Sequence, residues 1–305
     1  MILVCGEALI DMIDNGDGTQ RATPGGGPFN TARALARLGV PTAFLGRLSD
    51  DGLGRRLSAL LTADGASVSL ATSGPEPTTI AVAAVDGDGL TEYEFFVEGT
   101  AAPNLTPAML PESLPDEIDA IHVGTLGLAL EPMASTLAEL VQRESGRRLI
   151  MLDPNVRPGL ISDPEYRTRL ESLIPLSTVV KASVADLGWL YGEQPYEAVA
   201  ERILGSGVRL VLVTLGAEGA FGATADLRIH VEAPPVEVVD TIGAGDVFGA
   251  AALARLHEIG RLGPDLELDA EELRALLNFA SEAASLVCTR VGADPPWRSE
   301  LQAVG

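Results

Sequence analysis

The sequence predicts an α/β fold: a mostly parallel β-sheet with helices on both faces, plus a small β-sheet set apart from it. Three observations predict this. Short apolar, β-rich runs alternate with amphipathic stretches along most of the chain. Two segments break that rhythm and read as hairpins. Two long helical patterns then close the chain.

The strand candidates are Ile2–Val4, Thr42–Leu45, Ala120–Val123, Leu149–Leu152, Thr178–Val180 and Leu210–Val213. Helical periodicity falls between them, at Phe29–Leu38, Gly54–Ala63, Met133–Arg143, Pro164–Ile174, Ser183–Tyr191 and Tyr196–Leu204. The closing helices are expected near Ala244–Ile259 and Glu271–Thr289. One hairpin candidate runs from Thr78–Val85 through the turn Asp86-Gly87-Asp88-Gly89 to Tyr93–Val97. The other is Asp11–Thr23, with Asn15-Gly16-Asp17-Gly18 in its middle. Together they suit a small antiparallel sheet that covers a site. No internal repeat or low-complexity linker divides the chain.

Composition narrows the function. The 305 residues carry 21 Lys and Arg against 43 Asp and Glu, a formal charge of −22. So acidic a surface repels phosphate backbones, which argues against nucleic acid as a partner. The N-terminal run is interrupted by Glu7 and Asp11 and lacks a basic flank, so it does not read as a leader. No apolar run reaches the roughly 18 residues of a membrane span. Cys5 and Cys288, the two cysteines, sit far apart in apolar runs, as in a reduced, cytoplasmic protein. Lys181 is the single lysine. It is preceded by Val179-Val180 rather than glycine, so the chain has no Walker A loop. At a strand end it reads as a solvated lysine. His122, His230 and His257 lack metal-ligand spacing and read as structural or surface groups.

The strongest motif is Asp240-Thr241-Ile242-Gly243-Ala244-Gly245-Asp246. The apolar segment Val236–Val239 before it has strand character, and a helix is expected from about Ala244. The free N–H groups of a helix start, brought close by glycines, make an anion hole that needs no lysine. Asp246 lies in that first turn, where N–H groups and the helix dipole favour an ionised carboxylate. Such a carboxylate can take a proton from an alcohol attacking phosphorus, while the hole holds the spreading phosphoryl charge. A plain N-capping aspartate has the same local pattern.

Three further motifs accompany it. Gly25-Gly26-Gly27-Pro28-Phe29-Asn30 brings backbone close to a ligand, and Asn30 offers the donor and acceptor that a sugar hydroxyl needs. Asp11 is a third polar group available to the same space. Asp153-Pro154-Asn155-Val156-Arg157-Pro158 follows a buried strand, where α/β proteins bind ligands. Arg157 suits a sugar oxygen or phosphate there, or else a local ion pair with Asp153. Thr214-Leu215-Gly216-Ala217-Glu218-Gly219 joins two strand-like runs and suits a nucleotide, or only a β-turn.

These motifs, in this order, resemble the ribokinase-like (PfkB-type) carbohydrate kinases, from Gly6-Glu7 to Asp294-Pro295-Pro296. The resemblance implies a three-layer α/β/α kinase domain over residues 1–305. Lid segments would lie at roughly 11–23 and 75–100. It implies an ATP-dependent sugar kinase with Asp246 as base and Gly243, Ala244 and Gly245 as anion hole. Asp11, Gly26, Gly27, Asn30, Arg157 and Asp246 match sugar-contact positions. Phe95 or Phe96, with Phe96 preferred, would face the sugar. Thr214, Gly216, Gly219 and Gly245 match nucleotide contacts, and Ser281 falls near the adenine. Ser183 and Asp186 stand where the family carries Asn-x-x-Glu near the metal–phosphate waters, with shorter reach. Mg²⁺ would travel with ATP. Asp240, Ile242, Val287, Arg290 and Gly292 match the K⁺ site of many members, while Pro296 lacks the side-chain oxygen of its last position. The lid of some members pairs in a homodimer.

Among family members, Gly6–Met12, the DPNVRP and KASVADLGWL segments and CTRVGADPPW look most like bacterial fructokinases. Related 2-keto-3-deoxygluconate kinases share much of this pattern, and fructose phosphorylated to the 6-phosphate is the favoured reaction. A non-catalytic sugar-binding regulator on the same fold is disfavoured by the retained Asp246. A dinucleotide-dependent oxidoreductase is disfavoured because GGGPFN is not GxGxxG and Thr42–Leu45 leads into Gly46-Arg47 rather than an acidic residue.

Overall fold

The computed structural model describes residues 1–14, 19–85, 91–157 and 165–301. Both expected hairpin turns, with Asn15-Gly16-Asp17-Gly18 and Asp86-Gly87-Asp88-Gly89 at their centres, lie outside these residues, as do Pro158 and Pro164.

The chain order is β1 (Ile2–Cys5), β2 (Leu9–Asp14), β3 (Gln20–Gly25), α1 (Gly27–Arg37), β4 (Thr42–Leu45), β5 (Arg47–Ser49) and α2 (Gly52–Asp64). β6 (Thr72–Gly74), β7 (Ile80–Val85), β8 (Thr91–Phe96), β9 (Ala120–Gly124), α3 (Met133–Glu144) and β10 (Leu149–Asp153) follow. Then come α4 (Glu165–Leu173), β11 (Val179–Ser183), α5 (Val184–Tyr191), α6 (Tyr196–Leu204), β12 (Leu210–Thr214), β13 (Ala220–Ala223) and β14 (Arg228–Val231). The chain closes with α7 (Ala244–Glu258) and α8 (Ala270–Val287).

An 8-stranded sheet has the order β14-β13-β12-β11-β10-β9-β1-β4. Its strands run parallel from β4 to β12, and β13 and β14 return antiparallel at one edge. Alternate side chains feed two cores. Ile2, Val4, Met151, Val179 and Leu212 pack under α1, α7 and α8, with Phe29, Phe248 and Leu277. Leu3, Cys5, Ile150, Leu152 and Val211 pack against α3 to α6, with Leu137, Leu170, Leu187 and Ile203. Burial on both faces explains why these strands read as continuous apolar runs.

The second sheet has the order β3-β2-β7-β8. It is mixed rather than antiparallel throughout. β2–β3 and β7–β8 are hairpin pairs, but the two hairpins join through a parallel β2–β7 pairing. A third, 2-stranded sheet, β5-β6, was not anticipated. Val236–Val239 is not a strand either. Val238 and Val239 stand exposed, and the Val239 N–H donates to the carbonyl of Cys288 at 2.8 Å, just past α8. No helix among the described residues is long and apolar enough to cross a membrane.

Candidate active site

The first turns of α1 and α7 meet over the carboxyl ends of the central strands. α1 begins after Gly26, whose φ is 105°. A side chain there would meet the carbonyl of Glu7 at 2.8 Å, so only glycine lets the loop lie against the end of β1. Pro28 sits in the first turn, where its missing N–H costs nothing. Asn30 follows, and its Nδ2 donates to Asp246 Oδ2 at 2.9 Å in a buried contact. Asn30 Oδ1 is buried with no hydrogen-bond partner among the described residues.

α7 begins after Gly243, whose φ is 81°. A side chain at Gly243 would lie 2.6 Å from Ala293 Cβ. The Val236–Val239 segment therefore reaches the anion-hole turn as open loop rather than strand, but the glycine turn and the helix start stand where the motif predicts. Asp246 is buried, and its Oδ1 also faces Asn155 Nδ2 at 3.4 Å. Burial pushes its carboxyl above the ordinary range; the Asn30 hydrogen bond and the charges of Lys181 and Arg157 oppose that. The expectation of a carboxylate stabilised outright by the helix start is thus corrected: desolvation outweighs it. A raised pKa makes the carboxylate a better proton acceptor.

Lys181 is not solvated. It is buried, and its Nζ donates to Asp153 Oδ2 at 2.9 Å. A side chain at Gly245 would sit 3.0 Å from the same Nζ, so the ammonium lies directly beneath the anion-hole turn. Burial pushes Asp153 up to about 6 against the pull of Lys181, and the pair stays ionised at neutral pH. Asp153 is therefore not the partner of Arg157, whose Nη1 donates to Asn155 Oδ1 at 2.7 Å.

Two cavities flank the Gly243–Asp246 turn. One, of about 310 Å³, is lined by Asp11, Gly26, Gly27, Asn30, Arg157 and Asp246, all named by sequence reasoning. It also takes Glu7, Thr125 and Asn155, which sequence reasoning did not assign to the site, and Phe95, the alternative to Phe96 there. Glu7 Oε1 and Oε2 accept the N–H groups of Gly27 (3.2 Å) and Gly127 (3.0 Å). Burial pushes its carboxyl up to about 8 despite these donors. Asp11, on β2, is pushed up to about 6 by burial and by the nearby Asp246, with Arg157 opposing. Phe95, not Phe96, lines the cavity. Successive strand residues face opposite ways, and Phe96 is 51% exposed.

The other cavity, of about 490 Å³, is lined by Thr214, Gly216 and Gly219 and by Ser281 on α8. Ser281 Oγ is buried without a hydrogen-bond partner among the described residues, and Val236 and Val238 complete an apolar wall. The two cavities share Thr241 and Gly245. An anion at the Gly243–Asp246 turn would be reached from both sides.

Two expected groups lie beside these cavities. Asp186 closes a capping box at the start of α5: its Oδ2 accepts from the N–H (2.7 Å) and Oγ (2.6 Å) of Ser183. Its Oδ1 accepts the Val156 N–H at 2.7 Å. Both oxygens are thus engaged within the protein, and the pair borders neither cavity. Asp240 ties two loops together, accepting the N–H of Ile242 at 3.0 Å and of Gly292 at 2.8 Å. The N–H groups of Val239 and Asp240 donate to the carbonyl of Cys288, just past Val287, at 2.8 and 3.2 Å, which brings the end of α8 to the same place. The Arg290 side chain turns to Asp294 and Glu300, which leaves the expectation for its carbonyl untouched.

Comparison with known proteins agrees with this geometry. The pfkB family of carbohydrate kinases matches residues 1–300. A fructokinase from Rhizobium leguminosarum bv. trifolii is 43% identical over 261 residues, covering 84% of this chain and 79% of that protein. Fructokinase-1 from Oryza sativa subsp. japonica is 32% identical over 314 residues, covering 99% and 96%. Fructokinase from Xylella fastidiosa with bound ATP superposes with a TM-score of 0.88 at 26% identity, over 96% of this chain and 93% of that one. Fructokinase from Vibrio cholerae, bound to fructose, ADP and calcium ion, gives 0.85 at 29% identity, over 96% and 94%. The resemblance read from the glycine loops is borne out over the whole fold, and the chain belongs to the pfkB family of carbohydrate kinases.

Proposed function

We propose that this sugar kinase transfers the γ-phosphoryl group of ATP to the terminal primary hydroxyl of fructose, giving fructose 6-phosphate and ADP. The observation that carries the proposal is the pair of cavities meeting at Thr241 and Gly245, with buried Asp246 on the smaller, polar one. Fructose would occupy the cavity of Asp11, Asn30, Phe95 and Arg157. ATP would lie along Thr214, Gly216, Gly219 and Ser281. The fructokinase identity of its relatives supports the choice of acceptor.

Asp246 takes the proton from the acceptor hydroxyl. The acceptor hydroxyl oxygen bonds to the γ-phosphorus as the bond from that phosphorus to the β,γ-bridging oxygen breaks, and the electron pair leaves with ADP. The N–H groups of Gly243 and Gly245 hold the phosphoryl oxygens, and that of Ala244, expected to be free but donating to the Thr241 carbonyl at 3.2 Å, joins them when that turn bond opens. Asp246 then loses its proton to solvent as product leaves. Mg²⁺ enters as part of the nucleotide substrate. The loops tied by Asp240 suit K⁺ held by Asp240 and by carbonyls of Ile242, Val287, Arg290 and Gly292. A cation there would steady the anion-hole turn. We further propose that the four-stranded sheet acts as the sugar lid and that its edge strand β8 pairs with a second copy.

The test is ADP release from purified protein offered fructose, 2-keto-3-deoxygluconate, ribose, nucleosides and fructose phosphates, with Mg²⁺ and with or without K⁺. Fructose should give the highest kcat/KM, and phosphorus NMR should show the 6-phosphate. Turnover of fructose no faster than of water, beside rapid turnover of another acceptor, rejects the substrate.

A further inference from the structure

Thr125 and Asn155 are the non-glycine residues with positive φ among the described residues, at 55° and 39°. Left-handed backbone is costly for a β-branched residue such as threonine and persists where the surroundings impose it. The two follow the carboxyl ends of neighbouring parallel strands, β9 and β10. Both line the sugar cavity. Both also approach Asp246. Asn155 Nδ2 faces its Oδ1 at 3.4 Å. A side chain added to Gly27 would meet Thr125 Oγ1 at 2.5 Å and Asp246 Oδ1 at 3.2 Å, so these two oxygens border the same small space over Gly27.

The roles of the two side chains differ. Asn155 is spent within the protein: its Oδ1 accepts from Arg157 at 2.7 Å, and its amide faces the base. Thr125 Oγ1 makes no hydrogen bond to any described residue, although the residue is only 7% exposed. A hydroxyl held by a strained backbone, in a polar cavity, beside the proton acceptor, is placed for a ligand rather than for the fold.

We propose that Thr125 and Asn155 form a clamp at the reacting end of the acceptor. Thr125 Oγ hydrogen-bonds the terminal hydroxymethyl oxygen of the sugar. Asn155 is a positioning residue that turns the Asp246 carboxylate toward the same oxygen. This rests on the reading of the smaller cavity as the acceptor site, but on no particular sugar.

The experiment uses the full chain and whichever acceptor the wild type turns over fastest, so that a wrong choice of fructose leaves the clamp testable. Thr125→Val keeps the branched shape and removes the hydroxyl; Thr125→Ser keeps the hydroxyl. Thr125→Val should lower kcat/KM for the acceptor about three- to tenfold, the loss of one neutral hydrogen bond. KM for ATP should stay within twofold, and Thr125→Ser should recover most of the loss. Asn155→Gly tolerates the left-handed backbone and deletes only the amide. It should lower kcat more than it raises acceptor KM, and move the acid limb of the pH profile upward, because a donor to the carboxylate is gone. Unchanged acceptor kinetics in Thr125→Val overturns the clamp. So does equal loss in Thr125→Val and Thr125→Ser, or an Asn155→Gly enzyme with an unmoved acid limb.

Discussion

Lys181 Nζ sits 2.9 Å from Asp153 Oδ2, and both side chains are almost wholly buried beneath the turn that ends at Asp246. The single lysine of the chain thus lies under the Gly243–Asp246 turn rather than in solvent. Taking two charges out of water is costly, and only their pairing compensates. Removing one partner leaves the other charged and unmatched. Lys181→Met should therefore destabilise the protein by about 3–5 kcal/mol in urea denaturation. Lys181→Met combined with Asp153→Leu should recover much of that loss. Equal destabilisation by the single and double variants would refute the pairing as the cause.

Asp246→Asn keeps the size and, through its remaining oxygen, the hydrogen bond from Asn30, but gives up the acceptor that faces Asn155 and cannot take a proton. General-base contributions are on the order of 10²- to 10⁴-fold, so kcat should drop by that much. Calorimetric sugar binding should persist within a few-fold. A variant that retains full activity would remove Asp246 from the chemistry.

Asp11 gives activity and stability opposite pH trends. Its carboxyl ionises at about 6 when folded, against 3.8 in an ordinary aspartate. As pH falls through about 6, Asp11 gains a proton and loses acceptor strength, so acceptor KM should rise. The stability sign is the reverse. The raised value means that ionised Asp11 costs the folded state free energy above pH 6, and that the cost fades as pH drops toward 4. Asp11→Asn should thus be more stable than wild type at pH 7, by up to about 2–3 kcal/mol. The two should converge near pH 4. Parallel stability curves would show that Asp11 carries no such penalty.

Phe95 packs toward Leu9, Ala81 and Leu126 at the cavity wall, while Phe96 is exposed. Phe95→Ala should raise acceptor KM about tenfold or more, by loss of an apolar face against the sugar. Phe96→Ala should leave it within twofold. The reverse order in steady-state kinetics would put the strand in the other register.

The glycine turns were legible in the sequence because their chemistry is local. Gly26 and Gly243 need positive φ whatever surrounds them, and each starts a helix. The buried strands were legible because both of their faces are apolar. Lys181 was not: whether a strand-end lysine meets water or a carboxylate depends on Asp153, a residue of the neighbouring strand. Phe95 and Phe96 were confused because one residue of register exchanges the two faces of a strand. Val236–Val239 had the composition of a strand but no neighbour to pair with, and became a cavity wall instead. Thr125 carried no signal, since nothing in its residue type announces left-handed backbone. Asn155 did carry a faint one, because asparagine tolerates that region.

Thr241 and Gly245 are shared by the two cavities, and outside the 241–248 segment the walls come from separate parts of the chain. The acceptor side draws on β2, β8 and the ends of β9 and β10; the other side draws on β12 and α8. Drift in one wall therefore leaves the other untouched. A lineage can recut the smaller cavity through β2 and β8, strands that carry none of the Gly243–Asp246 turn, and leave the cavity of β12 and α8 as it is.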